Sequence, residues 1–179
     1  MFKRLLVLLT LALTLSSCVT QATAGLNSFV DGQDGYEFLY PLGWVQTQLA
    51  NGPDVLFRDF IEQTENVSVV IGDLSDPQAS LSDLGSPTDV GQRMSQKVIA
   101  PPGSDRQAEL ISARQHTNGN HDYYVLEYAV NARGQQRHEL VSVVTSRGKL
   151  FTFSASTLER RWPKIQELLG RVVESFTVY

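Results

Sequence analysis

One residue near the start of the chain, Cys18, has the type and the surroundings for covalent lipid attachment. It ends the segment Leu15-Ser16-Ser17-Cys18, which follows the basic residues Lys3 and Arg4, the apolar run Leu5 to Leu9 and its continuation at 11–13. A basic start, an apolar stretch of about ten residues and small residues before a cysteine are typical of a bacterial lipoprotein signal. The thiol accepts a diacylglyceryl group, and cleavage then makes Cys18 the first residue of the mature chain. We therefore expect a signal peptide at 1–17 and a domain held on a membrane by lipid on Cys18.

Two other interpretations of this segment stay open. An ordinary secretory signal could be cut after Ala22-Thr23-Ala24, which fits the A-x-A pattern but lies nine residues past Leu15. The segment could also be retained as an anchor, although about eleven apolar residues are too few to cross about 30 Å of hydrocarbon. Cys18 is the chain's only cysteine, so the domain makes no internal disulfide.

A second candidate for chemistry is the pair His138 and Glu159. A hairpin centred near Arg147 places residue 138 opposite about residue 156, and Glu159 lies just beyond that position. An imidazole and a carboxylate at one end of a sheet suit zinc or manganese, although a good site needs further ligands. Two alternatives stay open: Glu159 could form a capping box with Ser156, and His138 could simply be solvated. Glu139 faces the other side of its strand and is a poorer donor.

Catalytic motifs are not visible in the sequence. It has no G-x-S-x-G elbow, no zinc-hydrolase helix spacing and no glycine-rich phosphate loop after a strand. His116, His121 and His138 lie on separate segments, and His121-Asp122 makes at best half of a metal site. We expect that the protein is not an enzyme and needs no cofactor.

Charge is unevenly distributed along the chain. Without Lys3 and Arg4 the mature chain has 13 basic and 19 acidic residues, a balance that argues against a nucleic-acid partner. Residues 18–90 hold eleven acidic residues and one basic residue. Residues 91–179 hold eight acidic and twelve basic residues. This asymmetry indicates either differently solvated faces or a docking face for a charged partner. The basic residues that we expect to form such a docking patch are Arg133, Arg137, Arg147, Lys149, Arg160, Arg161 and Lys164.

Several strands and two helices must position these side chains. Alternation at 36–40 and short apolar runs at 55–57 and 67–71 predict strands, and longer strands are expected at 107–115, 123–130, 140–145 and 150–154. Ser86-Pro87-Thr88-Asp89 predicts a capped helix start, with Val90, Met94, Val98 and Gly91 facing inward. A second amphipathic helix is expected to start near Trp162.

These elements predict an α+β fold, an antiparallel β-sheet flanked by helices in a sandwich. The mature length suits one domain. We expect a lipidated N-terminus and flexible tether at 18–35 and a single domain at 36–179.

An ordered set of segments resembles the PsbP family of photosystem II extrinsic proteins. The resemblance runs from about Leu26 to the C-terminus, and the lipoprotein signal matches the cyanobacterial branch of the family. The segments that carry it are GYEFLYPLGW at 35–44, VLFRD at 55–59, GKLF at 148–151, RW at 161–162 and ESFTV at 174–178.

The resemblance implies a PsbP-like α/β/α sandwich and a non-enzymatic role on the lumenal side of the thylakoid membrane. It implies a protein that is monomeric outside the complex and associates with lumenal subunits of photosystem II, assisting assembly or stability, with a role at the oxygen-evolving complex. The family's metal-binding His and Asp correspond to His138 and Glu159, where Glu replaces Asp. The candidate ions are zinc, manganese and calcium. The longer N-terminal segment of the plant protein, implicated in ion retention, is not evident here.

Overall fold

The computed structural model describes residues 24–179, so the predicted signal peptide and Cys18 lie outside the described residues. Two helices, α1 and α2, span Pro87–Met94 and Trp162–Glu174. The ten strands are β1 Leu26–Asp31, β2 Tyr36–Pro41, β3 Trp44–Gln46, β4 Val55–Asp59, β5 Asn66–Asp73, β6 Arg106–Asn118, β7 His121–Ala132, β8 Gln135–Ser146, β9 Lys149–Leu158 and β10 Thr177–Val178.

The strands form two antiparallel sheets, which confirms the predicted α+β fold. The large sheet has seven strands in the order β3-β4-β5-β9-β8-β7-β6, and the small sheet has three in the order β1-β2-β10. One face of the large sheet packs on α2 and the small sheet, and the other packs on α1. Because strand residues alternate between faces, neighbours such as Tyr123 and Tyr124 belong to different cores. The large sheet is therefore the central layer of a sandwich.

Helix α1 begins as predicted and ends differently. The Ser86 side chain accepts from the Asp89 amide at 3.2 Å, and Asp89 accepts in return from the Ser86 amide, so the capping box is present. Residues Ser95–Ile99 then form a π-helical turn. The prediction that Val98 faces inward is wrong, since Val98 is 47% exposed and Ile99 is buried. The wider π turn moves the buried position one residue along the chain.

The predicted tether at 18–35 is too long. Residues Leu26–Asp31 form β1, which pairs along its whole length with β2. Phe29 explains this pairing, because its ring lies 5.2 Å from the Phe38 ring and 5.4 Å from the Phe57 ring. The domain therefore includes residues from Leu26 onward, ahead of the predicted boundary at 36.

The long hairpin of β8 and β9 turns through Arg147 and Gly148, both with positive φ. This two-residue turn suits the twist of the strands. It pairs Ser146 with Lys149 and places Thr157 opposite His138, one residue further than expected.

The strands give the domain two ends, which we name by one residue each. The Phe60 end carries the β4–β5 loop, the β7–β8 turn and the short 3₁₀ helix Glu159–Arg161, and it is also where the described chain begins. The Arg147 end carries the β8–β9, β6–β7 and β1–β2 turns. No helix among residues 24–179 is long and apolar enough to span a membrane.

Candidate metal site and docking surface

His138 lies between two carboxylates at the Phe60 end of the large sheet. Its Nδ1 is 3.0 Å from Glu159 Oε2, and its Nε2 is 2.7 Å from Glu127 Oε1. The imidazole stacks on the indole of Trp162 with ring centroids 3.8 Å apart and an interplanar angle of 9°. Only 5% of His138 is exposed, so the ring is held in place from three sides.

This arrangement limits what the histidine can bind. Both ring nitrogens can donate to a carboxylate at once only when the imidazole carries two protons. A metal ion would take the place of one of those protons. Because the two nitrogens are on opposite edges of the ring, one ion would receive one nitrogen of His138 and one carboxylate, from Glu159 or from Glu127. The residues therefore fit a weak two-ligand site, and other ligands would come from solvent.

Both alternatives that the sequence left open for this pair are wrong. Ser156 does not cap a helix with Glu159, because its hydroxyl accepts from Arg137 and donates to Glu139. His138 is buried, not solvated. Glu139 does face the other side of its strand, where it accepts from Arg106 at 2.7 Å.

Glu127 is the site residue that the sequence analysis missed. Ala129 is the residue opposite His138 in the β7–β8 pairing, and Glu127 lies two positions before it on the same face. The register of this strand pair is the signal that would have found it, since diagonal neighbours of this kind are within reach of long side chains.

The seven basic residues predicted as one docking patch fall at both ends of the sheet. Arg147 and Lys149 lie at the Arg147 end, and the other five lie at the Phe60 end. About nine residues of β8 separate Arg137 from Arg147, which corresponds to about 30 Å of strand. Arg147 and Lys149 also contact Asp34 there. A single patch is therefore excluded by the topology.

A concave polar surface at the Phe60 end contains two of these residues, Arg133 and Arg137. It is the part of the large sheet that α1 leaves uncovered, and it is walled by residues 98–106, with a volume of about 1150 Å³. We call it the polar trough. Side chains that line it include Arg58, Thr64, Asn66, Ser68, Asp105, Arg106, Arg133, Arg137, Glu139, Thr152, Ser154 and Ser156.

The trough has more positive than negative charge. Four arginines line it against the carboxylates of Asp105 and Glu139. The Arg137 guanidinium donates to the Thr64 carbonyl at 2.6 Å and to Ser156, and burial lowers its pKa from the ordinary arginine value. Arg58 and Arg106 were missing from the predicted patch because their place in the trough depends on strand pairing.

Two buried polar atoms in the trough wall lack partners. Among the described residues, no group accepts from Arg58 Nε and none bonds Thr64 Oγ1. Buried polar atoms normally have a hydrogen-bond partner. The trough therefore offers hydrogen-bonding capacity that the domain itself does not use.

A carboxylate cluster at the Arg147 end was also missed by the sequence analysis. Asp31, Asp34 and Asp54 each place an oxygen within 4.8 Å of the others. Their own contacts account for them, because Tyr36 donates to Asp54, Lys149 pairs with Asp34 at 3.3 Å, and Asp31 accepts from two amides of its turn. Burial and the hydrogen bond to Asp54 raise the pKa of Tyr36.

Comparison with known proteins identifies the domain. The sequence profile of the PsbP family matches residues 24–178. The chain is 50% identical to CyanoP of Thermosynechococcus vestitus over 88% of each chain, and 33% identical to the chloroplastic PsbP-like protein 1 of Arabidopsis thaliana over 90% of this chain and 68% of that one. The solution structure of CyanoP from Synechocystis sp. PCC 6803 superposes with a TM-score of 0.73 at 45% identity, covering 93% of this chain and 99% of that chain. The match over nearly the whole described domain, in sequence and in structure, shows that this chain belongs to the PsbP family.

Proposed function

We propose that this protein is a non-enzymatic accessory protein, anchored by lipid on Cys18 at the lumenal side of a cyanobacterial thylakoid membrane, that docks on photosystem II and assists its assembly or stability. Membership of the PsbP family is the observation that carries the proposal. The high identity to two cyanobacterial CyanoP chains supports the cyanobacterial branch, and the lipoprotein signal at 15–18 supports the anchor.

The polar trough is the surface that we assign to docking. Its hydroxyl, amide and guanidinium groups suit an acidic, polar segment of a partner protein. Desolvated charge contacts of this kind contribute specificity and orientation. The unpartnered Arg58 Nε and Thr64 Oγ1 would gain partners when the trough is covered.

Charge reversal in the trough tests this assignment. Arg133 is suited to it, because its side chain is largely exposed and its one ion pair within residues 24–179, to Asp105, is 3.8 Å long. We expect Arg133→Glu combined with Arg58→Gln to weaken co-purification with photosystem II from thylakoid membranes, and the loss should be greater at low salt. Arg171→Glu, on the outer face of α2, is the matched control. Equal retention of the trough variant and the control would contradict docking through the trough.

Lipid attachment has a separate test. We expect Cys18→Ser to leave the fold intact and to release the protein from membranes, because the domain would lose its acyl chains. Membrane fractionation measures the release, and circular dichroism measures the fold. Intact mass showing a mature chain that starts at Gly25 would instead establish an ordinary secretory signal.

Metal binding at His138 is a second candidate function, and the carboxylate within 3.0 Å of its Nδ1 favours it. Calorimetry with zinc, manganese and calcium on the wild type, His138→Ala, Glu159→Gln and Glu127→Gln would show which edge of the ring binds. We expect weak binding that declines at acidic pH, since protons compete for the imidazole. Glu167→Gln, on the exposed face of α2, is the control. Identical binding by the wild type and His138→Ala would exclude this site.

A further inference from the structure

Two large apolar side chains project from the β4–β5 loop at the Phe60 end. Phe60 is 72% exposed and Ile61 is 86% exposed. The loop that carries them is fixed by Asp59, whose Oδ1 accepts from the amides of Ile61 at 2.7 Å and Glu62 at 2.8 Å. An ordered turn therefore holds adjacent apolar residues out in solvent, where each costs free energy unless something covers it.

A third exposed apolar residue lies next to this loop. Leu42, in the β2–β3 turn, is 58% exposed. Two residues later Trp44 pairs with Asp59, and its indole Nε1 donates to Asp59 Oδ2 at 3.1 Å. The β2–β3 turn and the β4–β5 loop therefore lie next to each other, beyond the paired ends of β3 and β4. We call Leu42, Phe60 and Ile61 the apolar tip.

The chain joins the domain beside the apolar tip. The Leu42 amide donates to the Gly25 carbonyl at 2.9 Å, so the start of the described chain contacts one of the residues of the tip. Only five residues, 19–23, separate Cys18 from Ala24. Six Cα–Cα steps reach at most about 20 Å even when the chain is fully extended. A lipid on Cys18 would keep this end of the domain close to the bilayer.

We propose that the apolar tip inserts into the lipid surface next to the acyl anchor and so fixes the orientation of the domain on the membrane. This inference rests on the lipid attachment to Cys18 proposed above. The acyl chains supply the affinity, and the tip supplies a second contact point that stops the domain from rotating about its tether. The Arg147 end then points away from the membrane, and the polar trough faces sideways along it.

A lipid surface suits the tip better than a protein does. Three side chains on two narrow turns form a small convex projection. A stable protein–protein interface needs about 800 Å² from each partner, more than three such side chains offer. Segments that bind at the membrane interface bury Trp, Phe and Leu side chains only about 5–10 Å into the boundary of headgroups and acyl chains, a depth that a small projection can reach.

A single probe on the tip tests the proposal. Because Cys18 is the chain's only cysteine and carries the lipid in the mature protein, Ile61→Cys introduces a unique thiol for a fluorescent label. The lipidated mature chain, residues 18–179, is reconstituted into phosphatidylcholine vesicles that contain a nitroxide-labelled phosphatidylcholine. We expect the emission maximum of the label at residue 61 to shift to shorter wavelength on the vesicles, and we expect the nitroxide to quench that emission. The matched control is Asn120→Cys, which places the label on the β6–β7 turn at the Arg147 end, and we expect no change there. Adding Phe60→Ser should reduce the quenching at residue 61.

The outcomes separate this inference from the proposal on which it rests. If the labelled protein does not sediment with vesicles, both the anchor and the inserted tip are excluded. If it sediments and the labels at residues 61 and 120 respond alike, the anchor stands and insertion of the tip is overturned. If the emission of the label at residue 61 does not change on vesicles and the label becomes shielded only when photosystem II is added, the tip is a protein contact. The inference is then overturned.

Discussion

His116 on β6 is a single residue with a consequence for the pH dependence of stability. Its ring stacks on Tyr123 with centroids 5.2 Å apart, and its Nε2 has no hydrogen-bond partner among the described residues. Burial, with a smaller contribution from Arg114, lowers the pKa of His116 below its ordinary value of 6.5. As pH falls through that value, the unfolded chain takes up a proton before the folded domain does, so protonation favours unfolding.

We therefore expect His116→Gln to lose less stability than the wild type when pH falls from about 7 to about 5. Urea denaturation at a series of pH values measures the difference. His121→Gln removes a histidine from the neighbouring strand and is the control. Parallel pH profiles for the wild type and His116→Gln would show that His116 does not contribute.

At the scale of single residues, the sequence predicted that Glu159 lies close to His138 but did not predict Glu127 on the opposite edge of the ring. Counting along a hairpin was enough to bring His138 close to Glu159, because a two-residue turn fixes the register of the strands that it joins. Glu127 lies on β7, and the register between β7 and β8 depends on a different turn and on core packing. Whether Arg58 Nε and Thr64 Oγ1 have hydrogen-bond partners likewise depends on which strands are neighbours in the sheet. No local sequence pattern specifies that order.

Each of the two helices contains a glycine, and replacing it with alanine should have opposite effects on stability in α1 and in α2. Gly91 lies on the buried face of α1, where an added Cβ would lie 2.9 Å from two methyl carbons of Leu110 and 3.3 Å from one of Leu126. Gly170 lies in α2, with no atom within 4 Å of an added Cβ. Alanine favours a helix over glycine by about 1 kcal/mol where space allows.

We expect Gly170→Ala to stabilise the domain by about 1 kcal/mol and Gly91→Ala to destabilise it by about 1 kcal/mol, because Leu110 must move to admit the methyl group. The two variants are each other's control, and thermal or urea denaturation measures both. A gain in stability from Gly91→Ala would show that the layer between α1 and the sheet is loosely packed.

The helix cap provides a second test at the scale of elements. Ser86 holds the first turn of α1 through the Asp89 amide and carboxylate. We expect Ser86→Ala to lower the free energy of unfolding by about 1 kcal/mol. Thr88→Ala, in the same turn, is the control, and an equal loss from both would argue against the cap.

Element boundaries were predictable where a local signal marks them. The capping box at Ser86 and the start of α2 at Trp162 were confirmed, because caps and amphipathic spacing act within one turn. The π turn after Met94 and the strand β1 have no such signal. β1 is a strand because Phe29 packs on aromatic rings from β2 and β4, and that packing is not local.

For the whole molecule, the position of β1 sets the limits of the domain. We expect a chain of residues 24–179 to be more stable than one of residues 36–179, because removal of β1 exposes the rings beneath Phe29. Phe29→Ala alone should cost about 2 kcal/mol, less than for a fully buried phenylalanine, because Phe29 is only partly buried. Val30→Ala, at an exposed position of the same strand, is the control, and urea denaturation measures all four proteins. Equal stability of the two truncated chains would restore the predicted domain start at residue 36.

The fold class and family of the whole molecule were predictable, whereas the distribution of its charge in space was not. The resemblance of ordered segments and the strand pattern led to the PsbP family and to an α+β sandwich, and both are confirmed. The seven basic residues are close in the order of elements, but a hairpin of about 30 Å carries them to opposite ends. The uneven charge along the sequence therefore did not show which basic residues share a surface.

The stacking of Trp162 on His138 also gives the protein an optical signal of its own. The chain has only two tryptophans, Trp44 and Trp162. Trp44→Phe therefore leaves Trp162 as the only tryptophan, in van der Waals contact with the imidazole of His138. A metal ion on the imidazole would change the charge next to the indole ring, so we expect the steady-state emission of the Trp44→Phe protein to change when zinc binds His138. Titrating that emission against zinc would follow metal binding at this histidine without any added label, and the same titration of the protein that also carries His138→Ala is the control.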